Sequence, residues 1–405
     1  MASGLMLRIP PPPFLNDPAV RSVLAALPQA RLVGGCVRDV LAGRDVHDID
    51  LATPQKPEDV IAALRAAGLK FAPTGLAHGT VTAIADHRGF EVTTLRRDVA
   101  TDGRHAVVAF TDDWRADAAR RDFTINALSL TEIGEVYDYF GGVADLRAGR
   151  VRFVGDAAPR IREDYLRILR FFRFHARFGV GAPDPAAIAA IETHLDGLAR
   201  LSVERVWSEL SRILAVPDPT GAVALMARTG VLAAILPEGT DPARLAALMQ
   251  SGAPPDPILR LAALLTGDVE ALALRLRLSS VERTMLVALR DAPSACPAAD
   301  DDALRRLLAD KPAEVLIGRA WLIGAPTEEW ARLRGRLIAM PRPVFPLVGR
   351  HAVALGVPAG PRVGELLRAV RAWWLTGGCT ADAAACCSEL ARLIQGPTPP
   401  EQSQP

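Results

Sequence analysis

Leu32–Asp39, LVGGCVRD, followed by Asp45–Thr53, DVHDIDLAT, is the stretch from which the fold is read. Ala30–Val33 is a short apolar run that ends at Gly34-Gly35, and Val37–Leu41 beyond it is compatible with a helix. Side-chain-free residues at a helix start let backbone N–H groups approach phosphate oxygens, and Arg38 adds a charge-assisted contact. Asp48–Ala52 alternates charged and apolar residues with the period of a half-buried strand. Residues two apart in a strand share a face, with Cα atoms roughly 6.5 Å apart. Asp48 and Asp50 therefore face one way while Ile49 and Leu51 point into a core. Glu91, between Phe90 and Val92, repeats the apolar–acid–apolar pattern on what reads as a neighbouring strand. Three carboxylates converging on one sheet face repel one another unless cations neutralise them. Hard oxygen ligands in that number suit Mg²⁺, and a two-carboxylate bridge suits a pair of such ions about 3.5–4 Å apart. The diglycine turn and the DxD strand together read as a phosphate cradle facing a metal site.

The flanking text continues the alternation. Pro57–Ala67 predicts a helix that stops at Gly68, and Thr80–Ile84 and Phe90–Leu95 predict a hairpin across Asp86-His87-Arg88-Gly89. Residues 1–28 read as a leader, with a proline run at Pro10–Pro13 and a short helix over Pro18–Leu27. Residues 29–150 form an α/β (α+β) head with a small mixed sheet. After Gly155 the character changes: Ile161–Phe178 is strongly helical, and later segments are rich in Ala, Leu and Arg at helical spacing. An all-α arm follows, divided into a neck (151–215) and a body and tail (216–395). The closing GPTPPEQSQP (396–405) is disordered by composition.

At 405 residues, 50% hydrophobic and 23% charged, the chain has material for two or three packed domains and none of the bias of a disordered protein. Lys+Arg of 47 against Asp+Glu of 46 excludes a histone-like basic protein, so nucleic-acid contact must come from a local patch. Arg150–Phe178 supplies one, with eight arginines against three acids. Five cysteines at irregular spacing, with no CxxC pair, exclude a disulfide framework or structural zinc and point to a reducing cytoplasm. The N-terminus has no apolar stretch of signal-peptide length, and no apolar span reaches the ~20 residues of a membrane helix. No membrane and no protein partner are inferred.

GGCVRD followed by DVHDIDLAT resembles the signature of polymerase-β-type nucleotidyltransferases, and more narrowly of the class II tRNA CCA-adding enzymes and bacterial poly(A) polymerases. The resemblance continues in order through TGLAHGTVTAI (Thr74–Ile84), FEVTTLRRD (Phe90–Asp98), RRDFTINAL (Arg120–Leu128), YDYFGGVADL (Tyr137–Leu146), REDYLRILRFFRF (Arg162–Phe174) and SVERVWSEL (Ser202–Leu210). It implies an enzyme that adds CCA to tRNA 3′ ends from CTP and ATP with Mg²⁺. Asp48 and Asp50 match the family's metal pair, with Glu91 the candidate third carboxylate. Gly35 and Arg38 match its triphosphate contacts, and Arg120, Arg121 and Asp122, with Asn126, its ribose and triphosphate motif, which of the two arginines reaches the nucleotide being left open. Asp164 and Arg167, i and i+3 on one helix face, resemble a Watson–Crick partner for cytosine and adenine. Asp164 accepts from the exocyclic amine, and Arg167 donates to the ring acceptors beside it. Arg170 and Arg173 extend the stripe as further nucleotide contacts. Asp98–Arg104 resembles the flexible loop that levers the template between C and A.

Three other readings compete with this one. A bacterial poly(A) polymerase shares most of the head, but TGLAHGTVT is more like the CCA-adding side, and no basic GRRF-like stretch precedes Glu91. A partial CC- or A-adding enzyme is the second, although DVATDGR is not shortened as in CC-adding types. A catalytically inactive tRNA-binding scaffold is the third; it need not keep Arg38, Asp48, Asp50, Arg121 and Asp164 together. Beyond residue 200 the only histidine is His351, so the resemblance does not extend to an added metal phosphohydrolase domain.

Overall fold

A computed structural model describes residues 5–101, 106–291 and 293–395. Ten strands among them are β1 (Leu5–Arg8), β2 (Arg31–Val33), β3 (Asp50–Thr53), β4 (Lys70–Gly75), β5 (Thr80–Ala85), β6 (Arg88–Thr94), β7 (Arg96–Thr101), β8 (Ala106–Phe110), β9 (Leu128–Leu130) and β10 (Glu135–Asp138). Eight form one mixed sheet in the order β1-β10-β9-β2-β3-β6-β5-β4. Every pair is antiparallel except β3 with β6, whose parallel register sets Asp50 beside Glu91 and Leu51 beside Val92. The mixed sheet expected for the head is therefore present, at eight strands rather than a few.

The expected hairpin is β5–β6, closed by a tighter loop than the four residues anticipated. Asp86 and His87 both take positive φ (48° and 60°), the geometry that matches the right-handed twist of the flanking strands, so Arg88 and Gly89 are released into β6. One face of the sheet is closed by α1 (Pro18–Ala26) and α3 (Pro57–Ala66). Val20, Val23 and Leu24 of α1 and Val60 and Leu64 of α3 join Leu51, Val81 and Val92 in one buried cluster. A cluster of this kind contributes roughly 1.5–3 kcal/mol per fully buried large side chain. The opposite face carries Asp50 and Glu91, both exposed.

The segment expected as a leader is built into the head. β1 pairs with β10 at the sheet edge, and α1 contributes core residues, because its apolar stripe has the sheet to lie on. Of the loop expected over Asp98–Arg104, residues 98–101 belong to β7, which pairs with β8 in a separate two-stranded sheet. Residues 102–104 lie outside the described residues, as does the tail expected to be disordered, 396–405.

Helices follow: α2 (Gly35–Leu41), α4 (Trp114–Ala119), α5 (Gly142–Arg147), α6 (Ala157–Glu163), α7 (Leu166–Phe178), α8 (Pro185–Thr193), α9 (Val203–Leu214), α10 (Thr220–Arg228) and α11 (Val231–Ile235). The chain divides into two compact units, Met1–Pro237 and Glu238–Pro405, so the break falls some twenty residues beyond the neck boundary at 215. In the first unit Phe171 and Phe174 of α7 pack with Phe123 of the head and Phe171 with Phe153 just beyond it, with ring centroids 5.3–6.3 Å apart. Such aromatic pairs contribute about 0.5–1.5 kcal/mol each beyond burial and fix α7 to the head. The second unit is built from helices among its described residues, from Pro242–Gln250 to Ala383–Gln395, with one isolated bridge between Thr240 and Leu265. No helix among the described residues is long and apolar enough to cross a membrane.

Candidate active site

Asp50 opens β3 and Asp48 lies two residues ahead of it, just outside the strand; both are exposed and Ile49 between them is buried. The alternation read from the sequence thus persists past the end of the ladder. Glu91 stands opposite Asp50 across the parallel pair, with Thr82 on its other side. Asp50 is exposed as a residue, but desolvation where it lines the cleft pushes its carboxyl above its ordinary value, the charges of Glu91 and Asp48 push it the same way, and Arg121 pulls it back. That ordering places the three acids within electrostatic reach of one another. Among the described residues no ion pair neutralises them, and no three His, Cys, Asp or Glu side chains close a metal cage. Asp50 and Glu91, side by side across β3 and β6, are hard oxygen donors of the kind a divalent cation takes when water and substrate phosphates supply its remaining ligands.

Gly34 takes φ 69°, a conformation that L side chains rarely adopt, and a Cβ there would lie 2.8 Å from Nη1 of Arg121. The turn therefore requires glycine at 34, and any side chain there would also have to move the end of Arg121. Gly34→Ala is expected to cost about 1–3 kcal/mol through backbone strain, measured by denaturant titration, and to displace the end of the Arg121 side chain.

Arg38, on α2, is buried and held in a frame. It donates to Asp39 at 3.0 Å and to Oδ1 of Asn126 at 2.7 Å, and its guanidinium lies over Phe178 at 4.6 Å. Asn126 donates onward to Asp122 at 2.9 Å, and Asp122 accepts from Nε of Arg170 at 2.8 Å. Arg170 and Arg173 both reach Glu209 of α9, at 3.9 and 3.1 Å. A continuous chain of charge-assisted contacts thus runs from the glycine turn to α7 and α9. Burial pushes the Asp122 carboxyl up, but Arg170 and Asn126 more than offset this and hold it below the usual carboxylate range. Its contribution to stability is consequently present above the unfolded pKa and lost as pH falls through the lowered native value. Asp122→Ala should cost about 3–5 kcal/mol at pH 7, because it removes the close partner of Arg170 and leaves it only Glu209 at 3.9 Å. Denaturant titration should show the difference from wild type shrinking in acid.

Asp164 departs from expectation. It does not lie within one helix running from Arg162 to Phe178: it caps the end of α6, with extended backbone (φ −155°, ψ 107°), and the chain restarts as α7 at Leu166. Oδ1 accepts from the Leu166 amide at 3.1 Å and Oδ2 from Arg205 at 2.7 Å. The short polar side chain competes for backbone N–H groups, which is why Asp favours such junctions. Arg167, in the first turn of α7, is pinned by Glu163 and the Arg160 carbonyl. The pair reaches one site across a helix break rather than along a helix face.

These groups line a single cleft of about 500 Å³ that holds Gly34, Gly35, Arg38, Asp50, Arg121, Asn126, Asp164, Arg167 and Arg170. Asp48 and Glu91 flank Asp50 without lining it. Of the two arginines left open, Arg121 lines the cleft, whereas Arg120 turns to Asp117 at 2.8 Å. Arg173 faces a second cavity. Asp122, of the RRD motif, lines the cleft too, and so do Arg205 and Phe174, which the sequence did not mark as site residues. Arg205 falls inside SVERVWSEL, the one signal that could have found it.

Residues 30–152 match the model of the poly A polymerase head domain, and 182–241 match that of the probable RNA and SrmB- binding site of polymerase A. The CCA tRNA nucleotidyltransferase 1, mitochondrial, of Mus musculus is 37% identical over 362 residues, covering 86% of this chain and 83% of that protein. A CCA-adding enzyme of Streptococcus pyogenes is 40% identical over 202 residues, 49% of either chain. Among solved structures, the Bacillus stearothermophilus CCA-adding enzyme in complex with CTP superposes with a TM-score of 0.76 at 29% identity, covering 94% of this chain and 98% of that one. Fold and site define a nucleotidyltransferase of the polymerase-β type. The chain belongs to the family of class II tRNA CCA-adding nucleotidyltransferases and poly(A) polymerases. Enzymes of this family generally use a divalent metal ion.

Proposed function

We propose that the chain adds CCA to tRNA 3′ ends from CTP and ATP at the cleft between β3 and α7, with Asp48, Asp50 and Glu91 as the carboxylates that would hold Mg²⁺. The observation that carries this reading is the parallel register that sets Asp50 beside Glu91 at the mouth of a cleft whose lining includes Asp164 and Arg167. Bound there, the metal supplies a lowered pKa for the RNA 3′-hydroxyl and neutralises charge on the departing pyrophosphate. The residues of the chain do the rest. The Gly34-Gly35 backbone, Arg38 and Arg121 hold the triphosphate, and Asn126 fixes Arg38 in its orientation. Asp164 accepts from the exocyclic amine of cytosine or adenine, and Arg167 donates to the adjacent ring acceptor. Uracil presents a carbonyl to Asp164, and a good bidentate pair discriminates by roughly 1–3 kcal/mol. Arg170 supports the base end through Asp122, and Arg173 through Glu209. Arg120 orders Asp117 instead. The helical remainder after 215 holds the tRNA. The same reading places the chain in the reducing cytoplasm, in keeping with its five free cysteines.

The test is 3′-end sequencing after incubation of the pure protein with Mg²⁺, CTP, ATP and a tRNA lacking its last three nucleotides. Termination at CCA supports the reading. A ladder of A makes the chain a poly(A) polymerase, arrest at CC makes it a partial enzyme, and tRNA binding without extension makes it a scaffold.

A further inference from the structure

Five arginines surround a second cavity of about 570 Å³ in the same unit: Arg38, Arg44, Arg173, Arg177 and Arg212, with Phe174 in the wall. Their charge is not balanced. Asp39 pairs with Arg38 and, at 3.8 Å, with Arg177; Glu209 pairs with Arg173 at 3.1 Å and Arg212 at 3.7 Å. Arg44 donates to the Arg177 carbonyl at 2.7 Å, which carries no charge. Asp122 also acts on Arg38 and Arg173, but it is held by Arg170, and Glu209 is shared with Arg170 as well, so five cations outnumber the carboxylates that face them. Arg38, Arg44 and Arg177 also converge on one ring, Phe178, with guanidinium carbons 4.5–5.4 Å from its centroid. This stacking holds like charges together that would otherwise spread into solvent. Planar guanidinium forks match phosphate oxygens bidentately, and only a compact polyanion places several negative charges in so small a volume. The side chains of Arg177 and Arg212 are 43% and 58% exposed, so the cavity opens to solvent.

We propose that this cavity is a second phosphate site, distinct from the nucleotide cleft, for a ligand bearing at least two phosphate charges. Arg38 and Phe174 line both cavities, so the site lies directly behind the groups that hold the triphosphate. Two sources share the chemistry: consecutive phosphates of an RNA backbone, or the pyrophosphate released at each addition. The phosphate assignment stands on the arginine geometry; the choice of sources rests on the nucleotidyl transfer proposed above.

The test uses the full chain and the double variant Arg44→Gln/Arg212→Gln, with Arg212→Glu alone as a second probe at an exposed position. Calorimetric titration with sodium pyrophosphate, the nucleotide cleft saturated with CTP, should show binding to the wild type that weakens about tenfold in the variants. CTP affinity and melting temperature should stay unchanged. In the second arm, a 3′-phosphate-blocked tRNA is titrated across salt concentration, and a backbone site loses about 0.7 of log–log slope per phosphate contact removed. A change in the first arm assigns pyrophosphate, and a change in the second assigns RNA. If pyrophosphate binding vanishes when CTP is present and the tRNA slope is unaltered in the variants, the proposal is overturned. Failure of both wild type and variants to extend tRNA would overturn the proposed activity while leaving the binding result standing.

Discussion

Asp50→Ala is expected to lower CMP and AMP incorporation by on the order of a thousandfold, since loss of a metal-side carboxylate removes several kcal/mol of transition-state stabilisation. Binding of tRNA should survive, because Asp50 lies at the sheet's open face and outside any ion pair that shapes the fold. The variant carries a second signature. The Asp50 carboxyl sits above its ordinary value through burial and through repulsion by Glu91 and Asp48. For an acid whose native pKa is raised, the penalty is absent below the unfolded pKa and appears in full above the native one. Asp50→Asn should therefore melt at a higher temperature than wild type at pH 8 and at a nearly equal one at pH 4. Stability gained where activity is lost is the mark of a site strained for function. Robust incorporation by Asp50→Ala, or no stability gain for Asp50→Asn at pH 8, would remove the three-carboxylate reading.

The second large effect concerns which nucleotide enters. Asp164→Ala removes the acceptor that meets the exocyclic amine, and discrimination against UTP and GTP should fall by about 1–3 kcal/mol, roughly 5- to 150-fold in the ratio of kcat/KM values. Asp164→Asn adds a donor beside the remaining acceptor, so it should favour UTP more than the alanine variant does. Arg205 orients the carboxylate at 2.7 Å without lying on the same helix; Arg205→Ala should shift selectivity in the same direction and less far. Single-nucleotide incorporation with each of the four triphosphates measures all three. Unchanged CTP and ATP preference in Asp164→Ala would sink the template assignment while leaving the carboxylate site intact.

How much of this was legible depends on how far apart the partners lie in the chain. The glycine turn, the DxD strand and the hairpin carrying Glu91 are local patterns, and the period of two that exposes Asp48, Asp50 and Glu91 is written directly in the residues. The break at Asp164 was not, because Leu166–Phe178 and Ala157–Glu163 are each good helices and only a capping contact separates them. Arg205 and Asp164 are 41 residues apart, and Arg170 and Asp122 are 48. Pairings of that range leave no periodic trace. Arg120 and Arg121 are chemically identical neighbours, and Asp117 decides between them by taking the first more closely (2.8 Å against 3.3 Å). The role of residues 5–28 was hidden for a related reason: a four-residue edge strand is recognisable only beside its partner, β10.

The run of contacts from Arg38 through Asn126, Asp122 and Arg170 to Glu209 has an evolutionary corollary. Each link is buried or half-buried, so replacing any one member strands a charge on the next, while neighbouring replacements can compensate each other. Drift along this line must proceed by paired substitutions, and the group that grips phosphate and the group that backs the base reader are inherited as a block. A descendant could change its preferred base by altering Asp164, which stands outside the run, far more readily than it could exchange Asp122.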